Sequence, residues 1–248
     1  MELGRLTWGR ATGPRRLALC ATALAVVLPA TALATAQFTQ TASVKLSNDE
    51  ANQSTGINAE LHSTDPGNPG SKPKALSKLT LKLPAGTRVD KRGVAQCNLP
   101  NAQVLAGQCP KASELGTGTA KANGFPLIPS TTEDIAAYAT KGGVMFALTD
   151  NLQDPAPAQT LVLKAKISSR GVLTATVPPL PLPIPGQFAV LTDFEVDVKA
   201  TSRKVKGKRR TFIRTPKKCT KRGWTTTTSF RYADGSKETK KTKQSCKK

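Results

Sequence analysis

The stretch Lys78-Leu79-Thr80-Leu81-Lys82-Leu83 sets leucine and polar residues in strict alternation. With a period of two, Leu79, Leu81 and Leu83 share one face and Lys78, Thr80 and Lys82 the other, the pattern of a half-buried antiparallel strand. Pro84-Ala85-Gly86 ends it, because proline lacks the ladder donor and glycine favours a turn. The same period recurs on both sides. Residues 43–46 and 57–61 read as strands before a Pro- and Gly-rich loop at 63–74. Residues 135–140 and 144–149 make a hairpin pattern about Lys141-Gly142-Gly143, and 161–167 with 172–177 make another about 168–171.

In 188–198 the alternation sends Phe194, Val196 and Val198 inward and Asp193, Glu195 and Asp197 outward. Three carboxylates in line on one strand enclose calcium poorly; Lys or Arg on a neighbouring strand is their expected company. The preceding run, Pro178-Pro179-Leu180-Pro181-Leu182-Pro183-Ile184-Pro185, has few backbone donors. It reads as an extended connector or sheet edge whose leucines pack across the fold. The one helical stretch is 99–106, a turn or two between Cys97 and Cys109. About ten strands spaced by turns predict an all-β chain, an antiparallel β-sandwich with one short helix.

Residues 1–36 have a different character. Arg5, Arg10, Arg15 and Arg16 precede an apolar run over 17–33, and Ala34-Thr35-Ala36 offers a cleavage site before Gln37. The run is short and Ala/Thr-rich for a membrane span, so an export signal is expected, by the general secretory or the twin-arginine route, with Cys20 a passenger in it. No second long apolar run follows, so 37–248 is expected as one β domain outside the cell or at its envelope, without a membrane span.

Charge is concentrated at the far end. Residues 37–198 hold 14 basic and 13 acidic side chains, whereas 199–248 hold 19 basic and 2 acidic. Such a field attracts polyanions and weakens in salt. Lys204, Lys206, Lys208, Arg209 and Arg210 are the densest group, and outside a cell the anions on offer are wall polymers, nucleic acid and anionic lipid surfaces. A solvated basic surface that only keeps the chain soluble is the plainer alternative.

Cys97, Cys109, Cys219 and Cys246 are an even set in an exported chain, which argues for two disulfides. Spacing favours the sequential pairing among the three available. The segment Trp224-Thr225-Thr226-Thr227-Thr228-Ser229-Phe230-Arg231-Tyr232 is strongly β-prone, and Asp234-Gly235 is a favoured two-residue hairpin turn. That turn would set Arg231 opposite Glu238 and Gly223 opposite Cys246, bringing Cys246 close to Cys219, so the basic end is expected as a disulfide-closed hairpin. The same register places Lys237, Lys241 and Lys243 on the face of Trp224, Phe230 and Tyr232. There the rings and ammonium groups would either hold an anionic ligand by stacking and charge, or close the sandwich beneath lysine stems.

Catalytic patterns are missing. There is no G-x-S-x-G, H-E-x-x-H, phosphate loop or dinucleotide fingerprint, and His62 is the single histidine. With four cysteines oxidised no thiol nucleophile remains, and neither a metal nor another cofactor is expected. A carboxylate-pair carbohydrate hydrolase leaves no sequence mark and stays as a rival reading.

Two ordered segments resemble a known module. Leu79-Thr80-Leu81-Lys82-Leu83-Pro84-Ala85-Gly86-Thr87 leads to Cys109-Pro110-Lys111-Ala112-Ser113-Glu114-Leu115-Gly116-Thr117. Later come the proline-rich run, Phe212-Ile213-Arg214-Thr215-Pro216-Lys217-Lys218-Cys219 and the Trp hairpin ending at Cys246. Together they resemble a large family of uncharacterised secreted bacterial proteins with a C-P-x-x-S-x-x-G-T segment. The resemblance implies a secreted β-rich protein with two cystines and implies no activity; the lysine load over 199–248 departs from its pattern. The function expected is thus that of an exported, non-enzymatic binding or structural module.

Overall fold

The structure is a computed structural model in which residues 38–65, 73–124, 128–150, 160–181, 185 and 188–248 are described. The export signal read at 1–36 and most of the proline run beyond Pro181 lie outside them. The strands are β1 (Thr39–Leu46), β2 (Ile57–Thr64), β3 (Leu76–Lys82), β4 (Arg88–Val89), β5 (Glu114–Gly124), β6 (Ile128–Ala139), β7 (Gly143–Asp150) and β8 (Leu161–Ile167). They continue with β9 (Val172–Thr176), β10 (Leu180–Pro181), β11 (Phe188–Val198), β12 (Ser202–Val205), β13 (Lys208–Thr211), β14 (Ile213–Arg214), β15 (Trp224–Tyr232) and β16 (Lys237–Gln244). One short helix, α1 (Asn101–Leu105), starts after Pro100 and stops before Gly107, whose φ of 69° favours a residue without a Cβ.

Eleven strands pair in the order β1-β2-β11-β5-β6-β7-β8-β9-β3-β15-β16, each antiparallel to its neighbours, with β10 added beside β11. An odd number of alternating strands leaves the first and last pointing the same way, and these two meet through side chains. Thr242 Oγ1 accepts from Val44 N–H at 3.2 Å and donates to the Ala42 carbonyl at 3.1 Å. Gln244 makes the same double contact with Leu46. The sheet is therefore a nearly closed barrel and not the clear two-layer sandwich that the strand pattern suggests. Alternation shows that strands exist; it carries no trace of the last strand capturing the polar edge of the first.

Inward positions carry Val44, Ile57, Leu81, Ile135, Leu163, Val196 and many alanines, which form the main core. In β5, Gly116 and Gly118 let the chain lie against β11, where an added Cβ would fall within 2 Å of the Asp197 and Glu195 carbonyl oxygens. Outside β6 and β7, α1 lays Val104 and the Cys97–Cys109 cystine over Tyr138, Met145 and Ala147. Burial on both faces explains why β7 reads as a continuous apolar run. One end of the barrel, where β3 and β8 finish, is stoppered by Phe212, between β13 and β14, and by Ile213, the first residue of β14, both 1% exposed.

The C-terminal hairpin differs from expectation by one residue. Tyr232 N–H bonds to the Ser236 carbonyl and Gly235 N–H to the Tyr232 carbonyl, so the loop has three residues, Ala233-Asp234-Gly235, with Gly235 at a φ of 82°. A turn followed by a left-handed glycine closes a three-residue loop, not a two-residue one. Phe230 accordingly faces Glu238, Arg231 faces Lys237 and Trp224 faces Gln244. Because side chains alternate, this slip moves Lys237, Lys241 and Lys243 to the face opposite Trp224, Phe230 and Tyr232. The Cys219–Cys246 cystine ties β16 to the segment before β15, with Cα atoms 5.6 Å apart.

Candidate functional site

At the stoppered end β3 runs out through Pro84-Ala85-Gly86 into β4, and β8 turns into β9 through Ser168-Ser169-Arg170. Between these turns and β13–β14 lies a cleft of about 1130 Å³. Arg88, Lys91, Arg92, Arg170, Arg209, Arg210 and Arg214 line it, against one carboxylate, Asp90.

Asp90 is already engaged. Arg210 Nη1 donates to it at 2.7 Å and Arg92 Nε at 3.1 Å. Burial by itself would raise the Asp90 carboxyl, but the hydrogen bonds from Arg92 and Arg210 outweigh it and hold the group at about 2. Among the described residues no carboxylate pairs with Arg88, Arg170, Arg209 or Arg214. The strand registers crowd these cations further. Arg88 stands opposite Arg214, Arg203 opposite Arg210, and Lys204 opposite Arg209. Like charges directly opposite one another destabilise a ladder unless an anion sits between them. The Thr87 hydroxyl and Arg210 Nε are buried in the cleft wall without a hydrogen-bond partner among the described residues.

The cleft opens beside a second cationic surface. Outward positions on the adjacent strands β8, β9, β3, β15 and β16 carry Lys164 and Lys166, Thr174 and Thr176, Lys78, Thr80 and Lys82, then Thr225, Thr227, Ser229 and Arg231, then Lys237, Thr239, Lys241 and Lys243. Among the described residues that face holds eight cations and no carboxylate. The outer face of β2, β11 and β6 is the reverse, with Glu60, Asp193, Glu195, Asp197 and Asp134. The three β11 carboxylates point outward, and Lys121 of β5 sits opposite Asp193. No group of three metal-binding side chains assembles among the described residues.

Of the residues singled out in the sequence, Arg209 and Arg210 line the cleft, while Lys204, Lys206 and Lys208 stand exposed on the β12–β13 hairpin beside it. Lys237, Lys241 and Lys243 lie on the cationic face. Trp224 and Tyr232 do not form part of any surface: each is 3% exposed inside the barrel, Trp224 Nε1 bonded to the Lys218 carbonyl and Tyr232 Oη to Glu238. They are removed from the candidate anion site, because the register slip turned them away from the lysines. Arg88, Lys91, Arg92, Arg170 and Arg214 escaped the sequence reading; they are scattered over 126 residues, and only the pairing of β4 with β14 assembles them. No family model, no curated protein and no solved structure matches this chain.

Proposed function

We propose that this chain is an exported, non-enzymatic binding protein for an anionic polymer, which lies along the β8–β16 face and ends in the arginine cleft. The observation that carries the reading is the stacking of cations that no carboxylate pairs among the described residues, Arg88 against Arg214 in the cleft and Lys204 against Arg209 beside it, around a single, already neutralised carboxylate. Arginine forks suit phosphate and sulfate oxygens, and the opposite signs of the two barrel faces orient an approaching polyanion. A carboxylate-pair hydrolase needs two free acids across a cleft, and this cleft offers only Asp90. Two cystines and the lack, among the described residues, of a helix long and apolar enough to cross a membrane suit an extracellular site of action. On this reading the chain belongs with the secreted proteins that share its C-P-x-x-S-x-x-G-T segment.

Retention on heparin and on a phosphate resin tests it. The wild type should hold at physiological salt and elute with a steep salt dependence, and Arg88→Glu with Arg214→Glu should elute far earlier. Elution as ready as that of a neutral domain of equal size, or no change in the double variant, would overturn the proposal.

A further inference from the structure

We infer, on the reading of the β8–β16 face as a polyanion site, that its ligand is an anionic polysaccharide whose sugars each carry an acid group beside free hydroxyls, and that the sugar chain runs across the strands. The strand registers set the outward residues in rows. One row runs Lys166, Thr174, Thr80, Ser229, Thr239, each residue directly opposite the next. Four hydroxyls thus stand side by side on four adjacent strands, and Ser229 Oγ shares a hydrogen bond with Thr239 Oγ1 at 3.2 Å. Lys78, Arg231 and Lys237 form the row on one side; Lys82 and Lys241, with Thr227 between them, form the row on the other. Among the described residues no carboxylate pairs with these five cations. Like charges opposite one another weaken a ladder, so Lys78, Arg231 and Lys237 gain from an anion laid over them.

A hydroxyl both donates and accepts, and a polymer that carries only charge leaves the central row unused. A sugar chain uses it: hydroxyls meet hydroxyls, and the acid groups meet lysine or arginine. Neighbouring strands lie about 4.8 Å apart, close to the length of one pyranose unit, so successive sugars meet successive strands. Alternate residues of a strand are about 7 Å apart, which sets both cationic rows within reach of acid groups on the edges of the sugar chain. Lys166, which starts the central row, stands two residues before Ser168 in the wall of the arginine cleft, so the row begins at the cleft's rim. Single-stranded nucleic acid suits the face less well. Its bases are held by stacking on exposed rings, and Trp224, Phe230 and Tyr232 are buried in the barrel.

Titration of the full chain with polygalacturonate, inorganic polyphosphate, neutral dextran and single-stranded DNA at physiological ionic strength tests the assignment. Polygalacturonate should bind and dextran should not. Among oligogalacturonates, affinity should climb with length and level off at about five units, one for each strand the row crosses. Thr80→Val, Thr174→Val and Thr239→Val together keep β-prone side chains and should weaken polygalacturonate roughly tenfold while leaving polyphosphate unchanged. Lys78→Gln with Lys241→Gln should weaken both polymers. Circular dichroism checks the fold; if the triple variant does not fold, Ser229→Ala with Thr239→Ala reads the same row and should show the same split between the two polymers. Equal loss for both polymers, or none for polygalacturonate, in whichever variant folds would overturn the assignment, as would tighter binding of single-stranded DNA than of polygalacturonate at matched length. With heparin still retained, such results leave the polyanion reading standing; failure of every anion to bind overturns both.

Discussion

Gln244 and Leu46 form a bridge in which one side chain replaces a strand: the amide Nε2 donates to the Leu46 carbonyl at 2.7 Å while Oε1 accepts from the Leu46 N–H at 2.9 Å. Both backbone groups of a residue 2% exposed are thereby satisfied without a backbone ladder. Gln244→Ala should cost about 2 kcal/mol in urea unfolding, the price of two lost bonds at a half-buried seam. Gln244→Glu keeps the length but sets a carboxylate against a carbonyl. Its folded pKa is then raised, so the deficit should shrink as pH falls from 7 towards 4. Equal stability of both variants and the wild type would show that the barrel does not close here.

The two cystines close loops of different length, with sequence separations of 12 and 27. On the chain-entropy model Cys97→Ser with Cys109→Ser should lose about 3 kcal/mol, and Cys219→Ser with Cys246→Ser about 3.5 kcal/mol. The second pair should also make β16 a target for limited proteolysis after its lysines, because the cystine and the Gln244 seam anchor the same strand. A melting temperature unmoved in both double variants would refute this.

Asp90 gives a pH dependence with a definite sign. Its carboxyl lies at about 2 in the fold against 3.8 ordinarily. A depressed carboxylate stabilises above the unfolded pKa and loses that contribution as pH falls, so the loss should run between about pH 4 and pH 2. With its side chain 30% exposed, about 1 kcal/mol is expected after allowing for screening. Asp90→Asn should flatten that part of the denaturation profile and, by freeing Arg92 and Arg210, should tighten heparin binding at neutral pH.

Gly235 at a φ of 82° sets the hairpin register. Gly235→Val should cost about 1 to 2 kcal/mol through the left-handed backbone alone. Deleting Ala233 should be milder. Asp234-Gly235 is then a two-residue loop closed by the same Tyr232–Ser236 pair, so Lys237, Lys241 and Lys243 keep the outer face, and circular dichroism and melting should report a retained fold.

Much of this was legible from residue order because a strand's alternation is local. The leucines of 76–83, the inward Phe194, Val196 and Val198, and the helix beside Cys97 need only neighbours in sequence to declare themselves. The candidate site was half legible. Lysines and arginines of 199–248 stand out as a block, whereas Arg88 and Arg170 look like ordinary loop residues until β4 pairs with β14 and the β8–β9 turn swings beside them. The hairpin failed on one residue, since Asp-Gly suits loops of two and of three and nothing local chooses between them.

By itself, then, the order of amino acids determined which segments extend, which faces are apolar, which cysteines are near enough to join and where positive charge accumulates. Each follows from period, turn chemistry or chain length over a few residues. Only the tertiary structure decided that eleven strands curl into a barrel sealed by Thr242 and Gln244, that the aromatics of the last hairpin point inside, and that seven cations converge on one cleft. Those outcomes depend on contacts between residues up to 200 positions apart, which no local pattern encodes.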